Sequence, residues 1–301
     1  MDTSPERRFG ITHILIVLLI GFLWGINWPA VKVMLTELPP LSVRAFAFPL
    51  AALCLAVLAH VIKQPLKPAR RDWMPLFLTG FFLVFGFNML TTFGQLMTET
   101  SRAAIIAYTM PAMTVVLAAL FLGERLSRRG GLALLAGSLG LIVLAAEDFA
   151  GLFDNPSGAL VMLFAALSWA VGNILLKARQ WSLSSLGLTF WFFVVAAFCS
   201  WPLVLIFEPL SDQTWPGSRV LWILAYHVAG PMSLCYALWT IMIARLPAGV
   251  VALSALFAPV VGVGSSMWLL GDTVTWQKLT SLGLVLVSIA LTFSTTNRRS
   301  R

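Results

Sequence analysis

Apolar stretches long enough to cross a membrane follow one another along the chain, with only short polar segments between them. A helix that spans about 30 Å of hydrocarbon needs roughly 20 mainly apolar residues, and ten stretches reach or approach that length. No soluble domain or low-complexity tract interrupts the series, so the pattern predicts a single all-α membrane unit. The predicted helices are Thr12–Met34, Leu41–Ile62, Trp73–Gln95, Arg102–Leu122, Gly130–Ala146, Ser157–Lys177, Ser184–Phe207, Arg219–Ala244, Ala248–Leu270 and Gln277–Ser294.

The composition agrees with a membrane location. Of the 301 residues, 59% are hydrophobic and 11% are charged, a balance that one water-soluble globule cannot bury. The three cysteines are odd in number and fall in apolar stretches, which is typical of small packing residues rather than a disulfide framework or a metal site. We therefore expect neither a metal nor a cofactor.

The basic residues orient the chain, because cytoplasmic loops of membrane proteins carry an excess of lysine and arginine. With the N-terminus inside, fifteen of the 20 basic residues fall on the cytoplasmic side. Both termini are therefore predicted to be cytoplasmic, in the inner membrane of a bacterium. This topology also explains the net charge of +8, so we predict no nucleic-acid partner. The basic residues left for the outer side are Lys32, Arg44, Arg102, Arg219 and Lys278.

An internal repeat is the strongest signal. The segment Ala104–Glu124, AIIAYTMPAMTVVLAALFLGE, aligns without a gap on Ala252–Asp272, ALSALFAPVVGVGSSMWLLGD, and both read A-x2-A-x3-P-x11-G followed by an acid. WGINWPAVK at Trp24–Lys32 and WAVGNILLK at Trp169–Lys177 each place a lysine eight residues after a tryptophan. These segments belong to the first and fourth helices of two five-helix halves, 1–148 and 149–301. Because five is odd, the second half is inverted, and an inverted repeat is a transporter architecture.

These motifs resemble a pair of EamA domains of the drug/metabolite transporter superfamily, over nearly the whole chain. The ten-helix organisation is similar to that of bacterial exporters of aromatic and other hydrophobic amino acids. The resemblance implies a 5+5 inverted repeat around a central cavity, lined mainly by helices one, three, four, six, eight and nine, with alternating access. Asp272 stands where the first half has Glu124, so the halves are not expected to be interchangeable. Both acids are interpreted as gate or structural elements that pair with basic neighbours such as Arg125, Arg128 or Lys278.

Prolines inside the predicted helices mark places where the backbone is expected to bend. Pro29 cannot donate a backbone hydrogen bond, and its ring opposes the carbonyl of Gly25. Pro111 and Pro259 repeat this feature in the fourth and ninth helices. A bent helix can gate a cavity, and a static kink that only improves packing is the alternative. We interpret these prolines as hinge candidates.

The absence of deep charges limits the substrate. A charged group deep in a membrane is costly and usually functional, and no Asp, Glu, Lys or Arg falls in the middle of a predicted helix. A deep glutamate would suit the exchange of protons for cations, and deep lysine or arginine would suit phosphate esters. The sequence places neither in the middle of a predicted helix. We therefore predict a neutral or zwitterionic small-molecule substrate. His227 is the one ionisable candidate at depth. It either relays protons or contacts a carboxylate, or it is a neutral buried histidine bonded to a backbone carbonyl.

Aromatic and amide side chains near the predicted midplane are the candidates for the cavity lining. All three tyrosines lie within helices rather than in the interfacial belts where tyrosine is usually enriched. An aromatic pocket with a few hydrogen-bonding groups is the usual form of a site for a small amphipathic ligand. Lipid-facing or packing aromatics are the alternative, above all for the stripe Phe77, Phe81 and Phe85. The predicted cavity residues are Trp24, Asn27, Trp28, Phe85, Asn88, Tyr108, Trp169, Asn173, His227 and Tyr236.

The sequence therefore favours a secondary transporter that exports aromatic or other hydrophobic amino acids, uncoupled and down their gradient. An exporter of another neutral metabolite or drug, such as a purine or a threonine-like compound, coupled to protons through His227, is the alternative. An intramembrane enzyme would need convergent catalytic groups, and the chain contains no H-E-x-x-H, G-x-S-x-G or paired membrane aspartates. A receptor or scaffold gains no support from the repeat. The expected partners are the substrate and membrane lipid, with the chain as a monomer.

Overall fold

The structure is a computed structural model, and it describes residues 11–97, 103, 106–125, 127–146, 156–259, 261–262 and 275–296. That part of the chain is helical and contains no strand. The helices, in chain order, are α1 (Ile11–Met34), α2 (Pro40–Val61), α3 (Arg70–Met97), α4 (Met110–Phe121), α5 (Arg128–Ala145), α6 (Pro156–Lys177), α7 (Ser185–Phe207), α8 (Ser218–Arg245), α9 (Ala248–Ser254) and α10 (Trp276–Thr296). A 3₁₀ turn, Arg70–Asp72, begins α3, and another, Leu210–Asp212, precedes α8.

Six of these helices, α1, α2, α3, α6, α7 and α8, are long and apolar enough to cross a membrane. Large apolar side chains such as Leu15, Leu53 and Phe198 are exposed on the outside of the bundle, whereas Thr92 and His227 are buried inside it. This distribution is the reverse of that in a water-soluble protein and suits a hydrocarbon environment. The chain is therefore a multi-pass membrane protein.

Corresponding helices of the two halves begin at matching positions. α1 and α6 begin 145 residues apart, and so do α2 and α7. α3 and α8 each contain 28 residues and begin 148 residues apart, which is also the offset between the two proline motifs of the sequence. α5 and α10 share that offset of 148 residues. The spacing of the sequence motifs is thus preserved in the spacing of the helices.

Corresponding helices also pack against each other: α2 on α7, α4 on α9 and α5 on α10. Matching side chains meet as well. The ring centroids of Trp24 and Trp169 lie 5.4 Å apart, and Asn88 donates from Nδ2 to the hydroxyl of Tyr236 at 2.7 Å. Asn88 and Tyr236 are 148 residues apart, the same offset that separates the starts of α3 and α8.

α3 and α8 each contain a π-helical segment at the same relative place, Phe81–Gly86 in α3 and Val228–Cys235 in α8. The wider turns leave backbone carbonyls without their usual partners, and in a membrane these groups must be satisfied within the protein. The hydroxyl of Ser168 donates to a carbonyl of the α3 segment at 2.7 Å. The indole Nε1 of Trp24 donates to the carbonyl of Pro231 in the α8 segment at 3.2 Å. Side chains of α6 and α1 thus stabilise the two irregular segments.

The predicted helices Arg102–Leu122 and Ala248–Leu270 are interrupted just before their prolines. Turns stand at Tyr108–Thr109 and Ala255–Leu256, and Pro111 and Pro259 follow them closely. A proline cannot bond to the carbonyl four residues earlier, and its ring crowds that carbonyl, so a regular helix is hard to continue there. Pro29, in contrast, lies inside α1, which continues through it. The irregularity at Pro111 and Pro259 takes the form of a turn, and a gating role for these prolines stays a prediction.

Glycines allow α5 and α10 to approach each other closely. A Cβ built at Gly137 would lie 3.1 Å from Ser288 Oγ, and one at Gly140 would lie 3.2 Å from Val285. Small residues at such positions let helix backbones come together in a membrane. In α5 they therefore serve packing within one chain.

Candidate functional site

A pocket opens between the helices of the two halves. Its empty space is about 550 Å³, a figure that includes the open space at its mouth. Side chains of α1, α2, α3, α6 and α8 line it, together with residues next to the interruptions before Pro111 and Pro259. Both halves of the chain therefore contribute to one pocket.

Seven of the ten predicted cavity residues line this pocket: Trp24, Asn27, Trp28, Asn88, Tyr108, Trp169 and Tyr236. Asn173 and His227 are buried and bond to lining residues from behind. Phe85 is not part of the lining, which includes the ring of Phe87 instead. The structure thus brings most of these side chains together, and substrate binding by them stays a prediction.

Four aromatic rings pack together at one side of the pocket, and we call Trp24, Trp169, Tyr236 and Trp239 the aromatic cluster. Five of its ring pairs have centroids 5.4 to 5.7 Å apart, a spacing at which aromatic rings attract each other. Trp239 donates from Nε1 to Oδ1 of Asn173 at 2.7 Å. Asn173 therefore fixes a ring of the cluster rather than facing the pocket itself.

Two tyrosine hydroxyls accept hydrogen bonds at the pocket wall. Trp28 donates from Nε1 to Tyr108 at 3.0 Å, and Asn88 donates to Tyr236. Neither hydroxyl proton has an acceptor among the residues that the structure describes. Both hydroxyls are therefore still able to donate to a bound molecule.

At the pocket wall, Arg44, His227 and Asn27 form a hydrogen-bonded row, in which Arg44 and Asn27 line the pocket and His227 lies behind them. Nη1 of Arg44 lies 3.0 Å from Nε2 of His227, and Nδ1 of His227 lies 2.6 Å from Oδ1 of Asn27. An arginine nitrogen can only donate, so Nε2 of His227 accepts and its Nδ1 carries the proton that is donated to Asn27. His227 is therefore a neutral imidazole in this arrangement, bonded to two side chains rather than to a backbone carbonyl.

Arg44 is a charged lining residue that the predicted set of cavity residues did not include. This residue is only 2% exposed and lines the pocket. Its position near the start of the predicted helix Leu41–Ile62 led to its assignment to the outer side. The side chain instead runs inward, where Nε donates to Thr92 Oγ1 at 2.7 Å and Nη1 donates to His227. A basic residue therefore belongs to the pocket.

A glutamine near Arg44 has an unsatisfied acceptor. Gln95 lines the pocket and is 1% exposed, and its Oε1 has no hydrogen-bond partner. Lys32 donates from Nζ to the backbone carbonyl of Gln95 at 3.2 Å. Arg44 and Gln95 are the functional candidates that the sequence analysis missed, since both lie near the ends of predicted helices.

The described residues contain no group of three or more His, Cys, Asp or Glu side chains able to hold a metal ion. The lining that is present offers aromatic faces, hydrogen-bond donors and the positive charge of Arg44. These are the means by which the pocket can recognise a ligand.

Two charged side chains, Lys177 and Glu124, bond to neighbouring helix ends, the end of α8 and the start of α9. The ammonium of Lys177 donates to two carbonyls at the C-terminal end of α8, at 3.0 and 2.9 Å. The carboxylate of Glu124 accepts the backbone N–H groups of Ala248 and Gly249, at 2.9 and 3.2 Å, where α9 begins. Each charge thus meets the helix end of opposite polarity.

These contacts change the interpretation of Glu124. Its hydrogen bonds go to the start of α9 in the other half, rather than to Arg125 or Arg128 as predicted. The reason is geometric, because the N-terminus of α9 offers unpaired N–H groups next to the carboxylate. Its counterpart Asp272 lies outside the described residues, and its role stays a prediction.

Replacing Glu124 with glutamine is expected to lower the thermal unfolding midpoint by a few degrees. The variant keeps the shape, but its amide has only one oxygen. One backbone N–H group therefore keeps a neutral hydrogen bond and the other faces an NH2 donor, a loss of about 1–3 kcal/mol. Unfolding in detergent, followed by tryptophan fluorescence, measures the shift. Glu37→Gln is the control, because Glu37 accepts from the backbone of Gly217 at 2.7 Å but is exposed, so its charge is screened. Equal shifts for the two variants would contradict the assigned role of Glu124.

Comparison of the sequence and the structure with known proteins identifies relatives of this chain. The profile described as "EamA-like transporter family" matches residues 11–146 and 156–294. A protein of Salmonella typhimurium named "Probable amino-acid metabolite efflux pump" is 26% identical over 91% of this chain and 92% of its own length. An Escherichia coli protein of the same name is 26% identical over 95% of this chain and 94% of its own length. A solved crystal structure, 20% identical, superposes with a TM-score of 0.76 over 95% of this chain and 99% of that chain, which shows a shared fold.

Proposed function

The chain belongs to the EamA-like transporter family, and from that premise we propose that it exports small amphipathic metabolites across the inner membrane of a bacterium. Aromatic or other hydrophobic amino acids are the favoured substrates. Relatives that are named as amino-acid metabolite efflux pumps support this chemical class. The observation that carries the proposal is a pocket, shared by both halves, in which an aromatic cluster adjoins hydrogen-bonding side chains.

We infer that ten helices form a 5+5 inverted repeat, with residues 1–148 as the first half and residues 149–301 as the second. The contact of Asn88 with Tyr236, at equivalent positions, supports a two-fold relation between the halves. In a transporter built this way, the halves exchange conformations and the central site opens to one side at a time. Alternating access follows from this architecture.

We propose separate roles for the gate and hinge residues in the alternating-access cycle. Lys177 and Glu124 close the end that we assign to the cytoplasm, together with both termini of the chain. Asp272, which lies outside the described residues, is proposed as the matching gate element of the second half. Pro111 and Pro259 are the proposed hinges, since a helix that is already interrupted costs little to bend.

We propose that transport is uncoupled and follows the substrate gradient. The described lining of the pocket contains no carboxylate that could carry a proton. His227 accepts a hydrogen bond from Arg44, so a proton at Nε2 would place two positive charges about 3 Å apart. This arrangement opposes proton carriage by His227.

Counterflow in proteoliposomes tests the proposed function. Vesicles that contain the purified protein are loaded with unlabelled phenylalanine, tryptophan, methionine or threonine, and uptake of the labelled amino acid is measured with and without a pH gradient. We expect uptake that favours phenylalanine and tryptophan and is indifferent to the gradient. Uptake that depends on the pH gradient would support the alternative in which His227 couples transport to protons. No uptake above that of empty vesicles would reject amino-acid export.

A further inference from the structure

We propose that Arg44 binds the carboxylate of the substrate, and that the pocket therefore accepts hydrophobic monocarboxylates whether or not they carry an amino group. The inference rests on the proposed function, because it takes the pocket as the transport site. It widens the substrates from amino acids to the corresponding deaminated acids, for example 3-phenylpropionate.

The guanidinium of Arg44 is held in place but not fully used. Its Nε donates to Thr92 Oγ1 and its Nη1 donates to Nε2 of His227. Thr92 donates onward to the backbone carbonyl of Asn88 at 2.8 Å, and His227 donates onward to Asn27. No residue in the described part of the chain accepts a hydrogen bond from Nη2. A fixed guanidinium with unused N–H groups at a pocket wall is suited to binding a carboxylate through two parallel hydrogen bonds.

The charge of Arg44 also lacks a counter-charge. Within the described residues, no aspartate or glutamate forms an ion pair with it, and the described lining of the pocket contains no acidic side chain. An uncompensated charge that is removed from water is costly, and burying it without a partner is rarely tolerated unless it has a function. A carboxylate on the ligand would supply the missing negative charge.

An amino group on the ligand finds no acidic partner among the described lining residues. The buried acceptor without a hydrogen-bond partner among them is Oε1 of Gln95, which is neutral. The ammonium of Lys32 bonds to the backbone carbonyl of the same glutamine, so a second cation would meet repulsion there. The amino group of an amino acid is therefore tolerated, whereas its carboxylate is recognised.

Four ligands with a shared phenyl-ethyl skeleton distinguish recognition of the carboxylate from recognition of the amino group. Phenylalanine carries both, 3-phenylpropionate lacks the amino group, and phenylalanine amide and 2-phenylethylamine lack the carboxylate. Each competes with labelled phenylalanine for counterflow by the wild-type protein. We expect 3-phenylpropionate to compete at least as well as phenylalanine. The two ligands without a carboxylate should compete about tenfold or more weakly, since they lose a charge-assisted pair of hydrogen bonds.

Variants of Arg44 link this preference to the residue. Arg44→Gln should remove the discrimination between 3-phenylpropionate and 2-phenylethylamine, while Arg44→Lys should keep part of it, because lysine retains the charge without the planar fork. Arg219→Gln is the matched control, since Arg219 is exposed near the start of α8. It should leave the order of the ligands unchanged. If Arg44→Gln fails to fold in a thermal unfolding assay, the wild-type ligand series decides alone.

Heat stabilisation of the purified protein by the same four ligands separates this inference from the proposed function. Stabilisation by both carboxylates without counterflow of phenylalanine would reject amino-acid export and keep the Arg44 site. Counterflow in which 2-phenylethylamine competes as well as 3-phenylpropionate would overturn the Arg44 site and keep export. Absence of both stabilisation and competition by the carboxylates would likewise overturn it.

Discussion

Replacing Gly172 with alanine is expected to lower the thermal unfolding midpoint by several degrees or to prevent folding, although the change adds only one methyl group. A Cβ at this position would lie 2.6 Å from both Cα and Cβ of Leu83 and 2.7 Å from its backbone nitrogen. Backbone atoms cannot rotate away, so α6 and α3 would have to separate. Overpacking of this kind costs about 1–3 kcal/mol and occasionally more, and each kcal/mol corresponds to roughly 2–4 °C in a protein of this size class.

Gly283→Ala is the matched control for this prediction. Gly283 also lies inside a helix, α10, but a Cβ there would have no heavy atom within 4 Å. Because alanine favours a helix more than glycine does, this variant should be neutral or slightly stabilised. Thermal unfolding in detergent, followed by fluorescence and size-exclusion chromatography, compares the two. Similar midpoints for the two variants would show that α6 and α3 are not in the close contact described.

The contact at Gly172 matters for the pocket as well as for stability. Leu83 lies in the π-helical segment of α3, and Trp169 lies about one turn before Gly172 on α6. The ring of Trp169 packs on that of Phe87, with centroids 4.8 Å apart. Separating the two helices would pull these rings apart, so transport is expected to fall together with stability.

The positions of the helices could be predicted because apolar length and helix-breaking residues are local properties of the sequence. The predicted helices Leu41–Ile62 and Ser157–Lys177 correspond to Pro40–Val61 and Pro156–Lys177. Agreement is poorer at Arg102–Leu122, where the turn before Pro111 divides what the hydropathy treats as one span. The ten-helix membrane arrangement itself stays a prediction.

Arg44 could not be assigned to the pocket from the sequence. A basic residue in the first turn of a membrane helix usually extends toward the water at the interface. Whether it turns inward depends on partners from distant parts of the chain, here Thr92 and His227. Such tertiary contacts leave no local pattern, so the sequence alone predicts the charge at the outer side and a cavity without charged side chains.

Phe85 illustrates a second limit, which concerns helix register. The stripe Phe77, Phe81 and Phe85 follows the period of a regular α-helix. The π-helical segment Phe81–Gly86 contains wider turns and therefore shifts the face on which the next residues lie. Phe87 consequently reaches the pocket in place of Phe85, and the residues around the segment carry no signal that would have revealed this shift.

Replacing Trp169 with alanine is expected to abolish counterflow of aromatic amino acids. Trp169 is 1% exposed, lines the pocket, and packs on three other rings of the aromatic cluster and on Phe87. The truncation would remove the apolar wall and leave a cavity, at a cost of about 3–5 kcal/mol if the site does not collapse. Trp169→Phe keeps an aromatic face and is expected to fold, so it should retain transport with a raised KM.

The transport rate per folded protein distinguishes a role of Trp169 in substrate binding from a role in packing. Comparison of Trp169→Ala with Trp169→Phe decides between the two roles. If the ring acts only in packing, Trp169→Phe and wild type should share one KM, and any loss in Trp169→Ala should match its loss of folded protein. If the ring contacts the substrate, KM rises in Trp169→Phe although the protein remains folded. Trp222→Ala is the control for tryptophan removal, since Trp222 is 77% exposed on α8 and should leave both stability and KM near the wild-type values. An unchanged KM in Trp169→Phe would therefore remove Trp169 from the substrate site while leaving its place in the aromatic cluster intact.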